Sequence, residues 1–514
     1  MANPSLQIGN SNWAIKEDNL LGYSTAGTRF VPQPITMTRE SAGTRVNSSG
    51  LVETVELLGS ELVTDVDFLL TGTQAENITG TYWTTGTGWT ISGGNAILDG
   101  SQTVGSSLSS NNMTVTVGKI YKVTVNVSAT STGFRLYDAL GVVSYGLSLG
   151  ENVFYRTPSS STYTVTPLGL AGATGTISNV SVKEYAANNL ARVDYDGTAS
   201  SLLVEPMRIN VNTYSEDFAQ SFYIKDSGVS VGTTNNVSPS GESNATKIDV
   251  TDNGRIYANV ASDTYASSVF IKAGTFAYFK IGGVNIDLVA GTNANGTIES
   301  LGSGWFRVGI NYTGNRPFQI QAYPDGTYSS HTTTGDYYIW GSQIEVGSYP
   351  TSYIPTDGGT VTRVQDQYSK TGISNLINSE EGTFFVEMAA LSELTDSRVI
   401  SINNGTSNYY IWLNYKNTSN TIRYVYGFLG TNYADLQTVV ADATLNTKIA
   451  MTWKLNEFKF FINGFKISED LSGAVMPSGT LNKLEFNRPN GTEKMNGKVK
   501  QLQVFKTALT DSEL

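Results

Sequence analysis

The chain has 514 residues, with 52 Gly, 13 Pro, a single His and no Cys. His331 alone cannot build a multi-His or Cys/His zinc site, and the absence of thiols excludes disulfides and cysteine chemistry. With 33 basic and 44 acidic residues the net charge is −11, which argues against nucleic acid or an anionic membrane as the main partner.

Charged residues make up 15% of the chain, against roughly 25% in an ordinary globular protein. Gly, Ser, Thr and Asn replace the Glu, Lys, Arg and Ala that dress helix surfaces. With 28 Tyr and 20 Phe, the composition reads as all-β. No apolar run approaches the ~18 residues of a membrane span. The start, Met1-Ala-Asn-Pro-Ser-Leu, lacks a basic stretch followed by an apolar one, so no signal peptide is expected and synthesis in a cytoplasm follows.

Residues 1–66 carry the bend Pro32-Gln-Pro34 and a polar stretch from Thr38 to Glu53. Their apolar content is too low for an independent core, and they read as an irregular attachment segment. From 67 to 185, stretches such as Met113-Thr-Val-Thr-Val, Tyr121-Lys-Val-Thr-Val-Asn-Val and Phe134-Arg-Leu-Tyr alternate apolar with polar residues between Gly, Asn and Ser turns. That spacing predicts a first antiparallel sandwich. Residues 186–214 read as a linker, 215–347 as a second sandwich, 348–370 as a Pro- and Gly-rich linker, and 371–514 as a third module. Inside the third, Ile462-Asn-Gly-Phe465 predicts a hairpin, because Asn-Gly accepts the positive φ values of a type I′ turn.

The three modules end alike, on Ile177-Ser-Asn-Val180-Ser-Val182, Ile339-Trp-Gly-Ser342-Gln-Ile344 and Val499-Lys-Gln-Leu502-Gln-Val504. The break in alternation predicts a bulged closing strand that returns the chain close to its entry. Sandwiches built that way can be strung in series.

For chemistry, paired carboxylates come first, since glycosidases need only two. Asp194 with Asp196, Glu216 with Asp217, and Glu380 with Glu381 all fall in linkers or turns, where solvation explains them. His331, in the polar run Tyr328-Ser-Ser-His331-Thr-Thr-Thr, reads as a solvated loop residue. Glucanases place two carboxylates at alternate positions of one strand, whereas Glu387 has Phe385 and Ala389 at that spacing. No catalytic residue, cofactor or metal ligand is therefore assigned, and a calcium site would have no nameable ligands. Aromatic stacking on sugars is the better-supported chemistry. Each module holds two tryptophans: Trp83 and Trp89, Trp305 and Trp340, Trp412 and Trp453. Strand parity sends Trp340 and Trp453 to the core. Trp83, Trp305 and Trp412 are the candidate ligand-binding residues, with Trp83, after Gly80-Thr-Tyr82, expected to be the most exposed.

Several stretches resemble bacteriophage tail-fibre and other virion structural proteins. Thr38-Arg-Glu-Ser-Ala-Gly-Thr-Arg-Val-Asn47 is similar to the head of such chains, with Glu40 in place of a small residue. Arg192-Val-Asp-Tyr-Asp and Leu202-Leu-Val-Glu-Pro-Met-Arg-Ile-Asn210 resemble the linker that introduces a carbohydrate-binding-like sandwich. Ile339-Trp-Gly-Ser-Gln-Ile-Glu345, Thr351-Ser-Tyr-Ile-Pro-Thr356 and Thr362-Arg-Val-Gln-Asp366 are similar to that sandwich and its exit. The last module, through Trp453, Phe460-Ile-Asn-Gly464 and Gly497-Lys-Val-Lys-Gln-Leu502, resembles the concanavalin A-like lectin and laminin G jelly rolls. The resemblance implies a non-enzymatic virion protein, a tail or head fibre or appendage, and a homo-oligomer with a trimer favoured. It would join other virion proteins through residues 1–66 and touch host-surface polysaccharide through its sandwiches. A purely architectural connector and a polysaccharide-degrading enzyme are the alternative readings.

Overall fold

The computed structural model describes residues 3–9, 13–16, 19–26, 29–68, 82–138, 143–232, 236–392 and 396–514. Gly80 and Thr81, from which exposure of Trp83 was expected, lie outside them. Among the described residues there is no helix, and every long element is a strand in an antiparallel pairing. The chain divides into two compact units, Glu56–Ala186, and Met1–Val55 together with Ala187–Leu514.

The Glu56–Ala186 unit is a sandwich. One sheet is centred on Ile120–Thr130 and Thr174–Ala186, and Leu57–Glu61 adds to its edge; the facing sheet contains Phe134–Asp138, Thr166–Gly169 and Ser106–Ser110. Alternation along Ile120–Thr130 sends Tyr121, Val123, Val125 and Val127 inward, where they meet Trp89, Phe134 and Val180. The module begins about ten residues before the expected boundary, because Leu57–Glu61 pairs with its closing strand.

In the larger unit, the second sandwich packs a sheet built on Asp263–Ala273, Trp305–Gly314 and Gly335–Val346 against one built on Arg255–Ala258, Phe318–Tyr323 and Tyr278–Ile281. The jelly roll has one sheet around Gly382–Ala389, Thr447–Lys454 and Gly497–Phe505, and a second around Arg398–Asn403, Tyr409–Tyr415 and Thr421–Phe428. The Asn463-Gly464 turn has φ of 52° and 83°, as a type I′ hairpin requires. All three closing strands carry a register shift: around Ser178, between the partners of Ser268 and Phe270, and at Lys500.

The first 55 residues are not a separate attachment segment. Leu6–Gly9 pairs with the closing strand Gly497–Phe505, with Leu6 opposite Val504. Arg29–Thr38 pairs with Asn19–Ala26 and, through its last residues, with Gln367–Thr371. Leu6, Ile8, Leu20, Ile35 and Met37 are all buried in the jelly-roll core. The segment looks too poor in apolar residues because each strand contributes only one or two of them to a core whose other members come from 191–204 and from 368 onward.

Both linkers are also structured. Arg192–Asp196 and Ala199–Val204 form a hairpin whose second strand adds to Gly497–Phe505, and Arg208–Asn210 pairs with Val361–Arg363. Between them lies a buried ion network. Arg39 donates from Nη1 to Asp366 Oδ1 at 2.8 Å, and Arg192 reaches Glu205 Oε2 at 2.6 Å and also Asp366 Oδ2. Arg363 lies 3.0 Å from Glu205 Oε2. The backbone N–H of Glu205 donates to Asp366 Oδ2 at 2.8 Å, and Ser352 donates to Glu205 through both its N–H and its hydroxyl. The five charged side chains are 0–3% exposed. Arg363 also donates to the Thr351 hydroxyl, which in turn donates to the buried Glu345.

Burial opposes ionisation of Glu205, yet Arg363 and Arg192 together hold its carboxyl far below the usual range. Burial raises the pKa of Glu345, and Arg363 offsets this only in part. The two therefore act with opposite sign on the pH dependence of stability. Glu205 contributes stability that is complete above its ordinary value near 4.5 and is lost as pH falls below it. Glu345 lowers stability as pH rises from the same value. Removing one partner of a buried pair costs about 3–5 kcal/mol. Glu205→Gln is accordingly expected to lose about that much at pH 7, and to show a flatter decline than the wild type between pH 5 and pH 2, as followed by urea unfolding across pH.

Candidate functional site

Trp83 opens the strand Trp83–Thr85 with its ring turned inward. It is 5% exposed, packs on Phe68 at 5.0 Å between ring centroids, and donates from its indole to Asp65 O at 3.1 Å. The expected exposure of Trp83 is thus corrected. Trp305, 3% exposed, donates to Val237 O and joins Phe270, Trp340 and Tyr353 in a small aromatic core. Trp412 is on the jelly-roll sheet face opposite the main core, but it lies flat on Tyr410 (centroids 4.3 Å, planes 8° apart), with the Arg488 guanidinium 4.4 Å above its ring. None of the three offers an open ring face.

Among the paired carboxylates, Asp194, Glu216 and Asp217 are likewise engaged. Asp194 pairs with Lys498 at 2.9 Å and accepts from the N–H of Val46. Glu216, whose pKa burial raises, accepts from the Tyr353 hydroxyl and Asn244. Asp217 accepts from Ala219 N–H and Gln220 in a turn, and Glu387 is held by Gln501 and Lys500. A crevice of about 220 Å³ beside the ion network includes Phe270, Arg307, Asp194 and Lys498 in its walls; one of its ion pairs is that of Asp194 with Lys498. Among the described residues no group of three or more His, Asp or Glu side chains could hold a metal ion.

The surface best built for ligand contact is the outward face of the Arg255–Ala258, Phe318–Tyr323, Tyr278–Ile281 sheet. Alternation sends Ile256, Ala258, Phe318, Ile320, Ala322, Phe279 and Ile281 into the core, leaving the intervening residues on the other side. Strand register then sets three rows. Tyr257 lies opposite Gln319. Arg255, Gln321 and Lys280 form the middle row, continued by Asn285. Tyr323 and Tyr278 form the third. Tyr323 is buried, Asn285 is exposed and the others are half-buried, with their backbones fixed in the sheet.

Two rings of the face, Tyr257 and Tyr323, have a cation beside them. The Arg316 and Arg255 guanidiniums lie 4.6 and 5.8 Å from the Tyr257 ring centroid. Lys280 Nζ lies 5.2 Å from the ring of Tyr323 and 6.0 Å from that of Tyr328. The hydrogen bond to Asp226, at 2.6 Å, holds Arg255 in its charged form. Arg316 has an Asn259 oxygen at 3.1 Å. Tyr328 stands edge-on to Tyr278 and Tyr323 from a left-handed backbone conformation (φ 52°).

His331 pins the loop that carries Tyr328. Its Nε2 is 2.9 Å from Ala322 O, and its backbone N–H and C=O both bond the side chain of Asn253. It is half-buried against Phe276 and Tyr323, which corrects the expectation of a solvated loop residue. The signal for this face was present in Arg255-Ile-Tyr-Ala258, Tyr278-Phe-Lys-Ile281 and Phe318-Gln-Ile-Gln-Ala-Tyr323.

No family model matches the chain, and no curated protein matches it. Among solved structures it is similar to the CBM40 of the Ruminococcus gnavus IT-sialidase bound to α2,3-sialyllactose: 21% identity, 26% of this chain and 80% of that one, TM-score 0.23. A putative carbohydrate binding protein from Bacteroides ovatus is 12% identical over 52% of this chain and 78% of its own, with TM-score 0.23. The Trypanosoma rangeli sialidase is 7% identical over 95% and 94%, also at 0.23.

Burial separates the two sets of aromatics. Trp83→Ala and Trp305→Ala should each cost about 3–5 kcal/mol of stability, whereas Tyr257→Ala and Tyr278→Ala should cost about 1 kcal/mol or less; denaturant unfolding of the four variants measures the difference.

Proposed function

We propose that the chain is a glycan-binding protein that acts without catalysis, with the tyrosine face of the second sandwich as its platform. The carrying observation is the three-row arrangement itself. Tyrosine rings suit the apolar faces of pyranoses, while Gln319, Gln321, Asn285 and Lys280 reach hydroxyls between them. Binding is favoured over hydrolysis by the surroundings of Glu387, which has no acidic neighbour at two-residue spacing and is already bonded to Gln501 and Lys500.

We further propose that the glycan is on a host surface and the chain part of a bacteriophage virion. This finer reading is supported by the virion-protein-like segments around Arg39, Arg192, Glu205, Thr351 and Arg363. Attachment through a detachable segment 1–66 is not retained, because Leu6–Gly9, Asn19–Ala26 and Arg29–Thr38 supply strands of the jelly roll. A chain lacking them would test folding and not anchoring.

Purified full-length protein on a glycan array is expected to bind a restricted set of saccharides. Tyr257→Ala and Lys280→Ala should weaken that binding at least tenfold with the melting temperature nearly unchanged. Binding that survives both substitutions, or that depends only on Trp412, would move the site elsewhere.

A further inference from the structure

Arg398 begins the strand Arg398–Asn403 and lies opposite Tyr415 in the register. The residue is 1% exposed, and its Nε and Nη1 have no hydrogen-bond partner. Unlike Arg39, Arg192 and Arg363, it meets no carboxylate within ion-pair distance among the described residues; Asp396, two positions earlier, is exposed and forms no ion pair with it. The hydroxyl of Tyr415, a buried ring, is also without a partner.

A second guanidinium faces the same place. Arg208 and Arg398 lie 4.9 and 5.9 Å from the ring centroid of Tyr349. Arg208 Nε is buried and unpartnered, and its Nη1 reaches only the carbonyl of the adjacent Met207. Gly347 makes room for it: a Cβ there would come within 3.2 Å of Arg208 Nε. The Tyr349 hydroxyl donates to Asn496 Oδ1 at 3.4 Å.

Two guanidiniums thus meet the Tyr349 ring, with the Tyr415 phenol opposite Arg398; four of their polar atoms are unpartnered, and among the described residues no carboxylate forms an ion pair with either guanidinium, Asp396 acting on Arg398 only at longer range. A buried cation without a counter-charge is strongly unfavourable, and a buried donor without an acceptor costs about 1–3 kcal/mol. A small oxyanion meets both needs, since its oxygens accept several charge-assisted bonds at once and match the planar fork of arginine. We propose that Arg398, Arg208 and Tyr415 form a binding site for one oxyanion, a sulfate, phosphate or carboxylate group, at the end of the jelly-roll core beside Tyr349. Burial lowers the pKa of Arg398, consistent with a charge that lacks its partner. The site is independent of the tyrosine face, and neither reading depends on the other.

The test is thermal unfolding of the full chain at constant ionic strength, with 10 mM sulfate, phosphate or glucuronate against chloride. At an anion concentration ten times Kd the wild type should melt about 2 °C higher. Arg398→Met should melt at the same temperature in every salt, and Arg208→Met should show a reduced shift. A response to sulfate or phosphate identifies a free inorganic ion; a response to glucuronate alone identifies the carboxylate of an acidic saccharide. Should Arg398→Met fail to fold, calorimetric titration of sulfate and glucuronate into the wild type and Arg208→Met replaces it. No shift in the wild type, or an equal shift in the variants, would overturn the proposal.

Discussion

Three arginines without access to water set the terms for the larger unit. Arg39, Arg192 and Arg363 are essentially unexposed, and a guanidinium removed from water is strongly unfavourable unless it finds a counter-charge. Glu205 and Asp366 supply them, each shared between two arginines. These five residues come from the turn after the N-terminal strands, the hairpin before the second sandwich and the segment after it. A buried network of this kind adds little net stability compared with apolar packing. Its effect is selective, because any segment placed out of register leaves a charge stranded. Segments far apart in the chain are thereby held in one arrangement, with the second sandwich leaving and re-entering beside Glu205 and Ser352.

The same network gives the Arg-rich segments of the two linkers and the N-terminal stretch a physical reading. Arg39, Arg192, Glu205, Thr351, Arg363 and Asp366 all fall within those segments, and they meet in three dimensions. Ser342 belongs to the same pattern. It interrupts the apolar run of its closing strand because its hydroxyl receives Asn212 and bonds Tyr223 in a second buried polar cluster.

Period-two alternation made most strands of the sandwiches readable, the Asn463-Gly464 turn fixed one hairpin, and the shared closing motifs pointed to bulges that are present. What stayed hidden depends on partners distant in sequence. Leu6 and Ile8 reveal their strand only beside Val504 and Leu502, and Arg192 looks like a surface linker residue until Asp366 is placed next to it. The candidate site was missed for a different reason. Tryptophan is the strongest single stacking residue, but large rings are also the best core fillers, and Trp83 and Trp305 went to the core. The half-buried tyrosines and amides on the opposite parity were left to form the face.

The central claim is that residues 1–55 and 187–514 fold as one body around the ion network. Hydrogen exchange of the native full-length chain tests it most directly. Amides of Leu6–Gly9 and Arg29–Thr38 should be protected to the same free energy as those of Gly382–Ala389 and Gly497–Phe505, and should open together with them. N-terminal strands that exchange freely while the jelly roll remains protected would contradict the account.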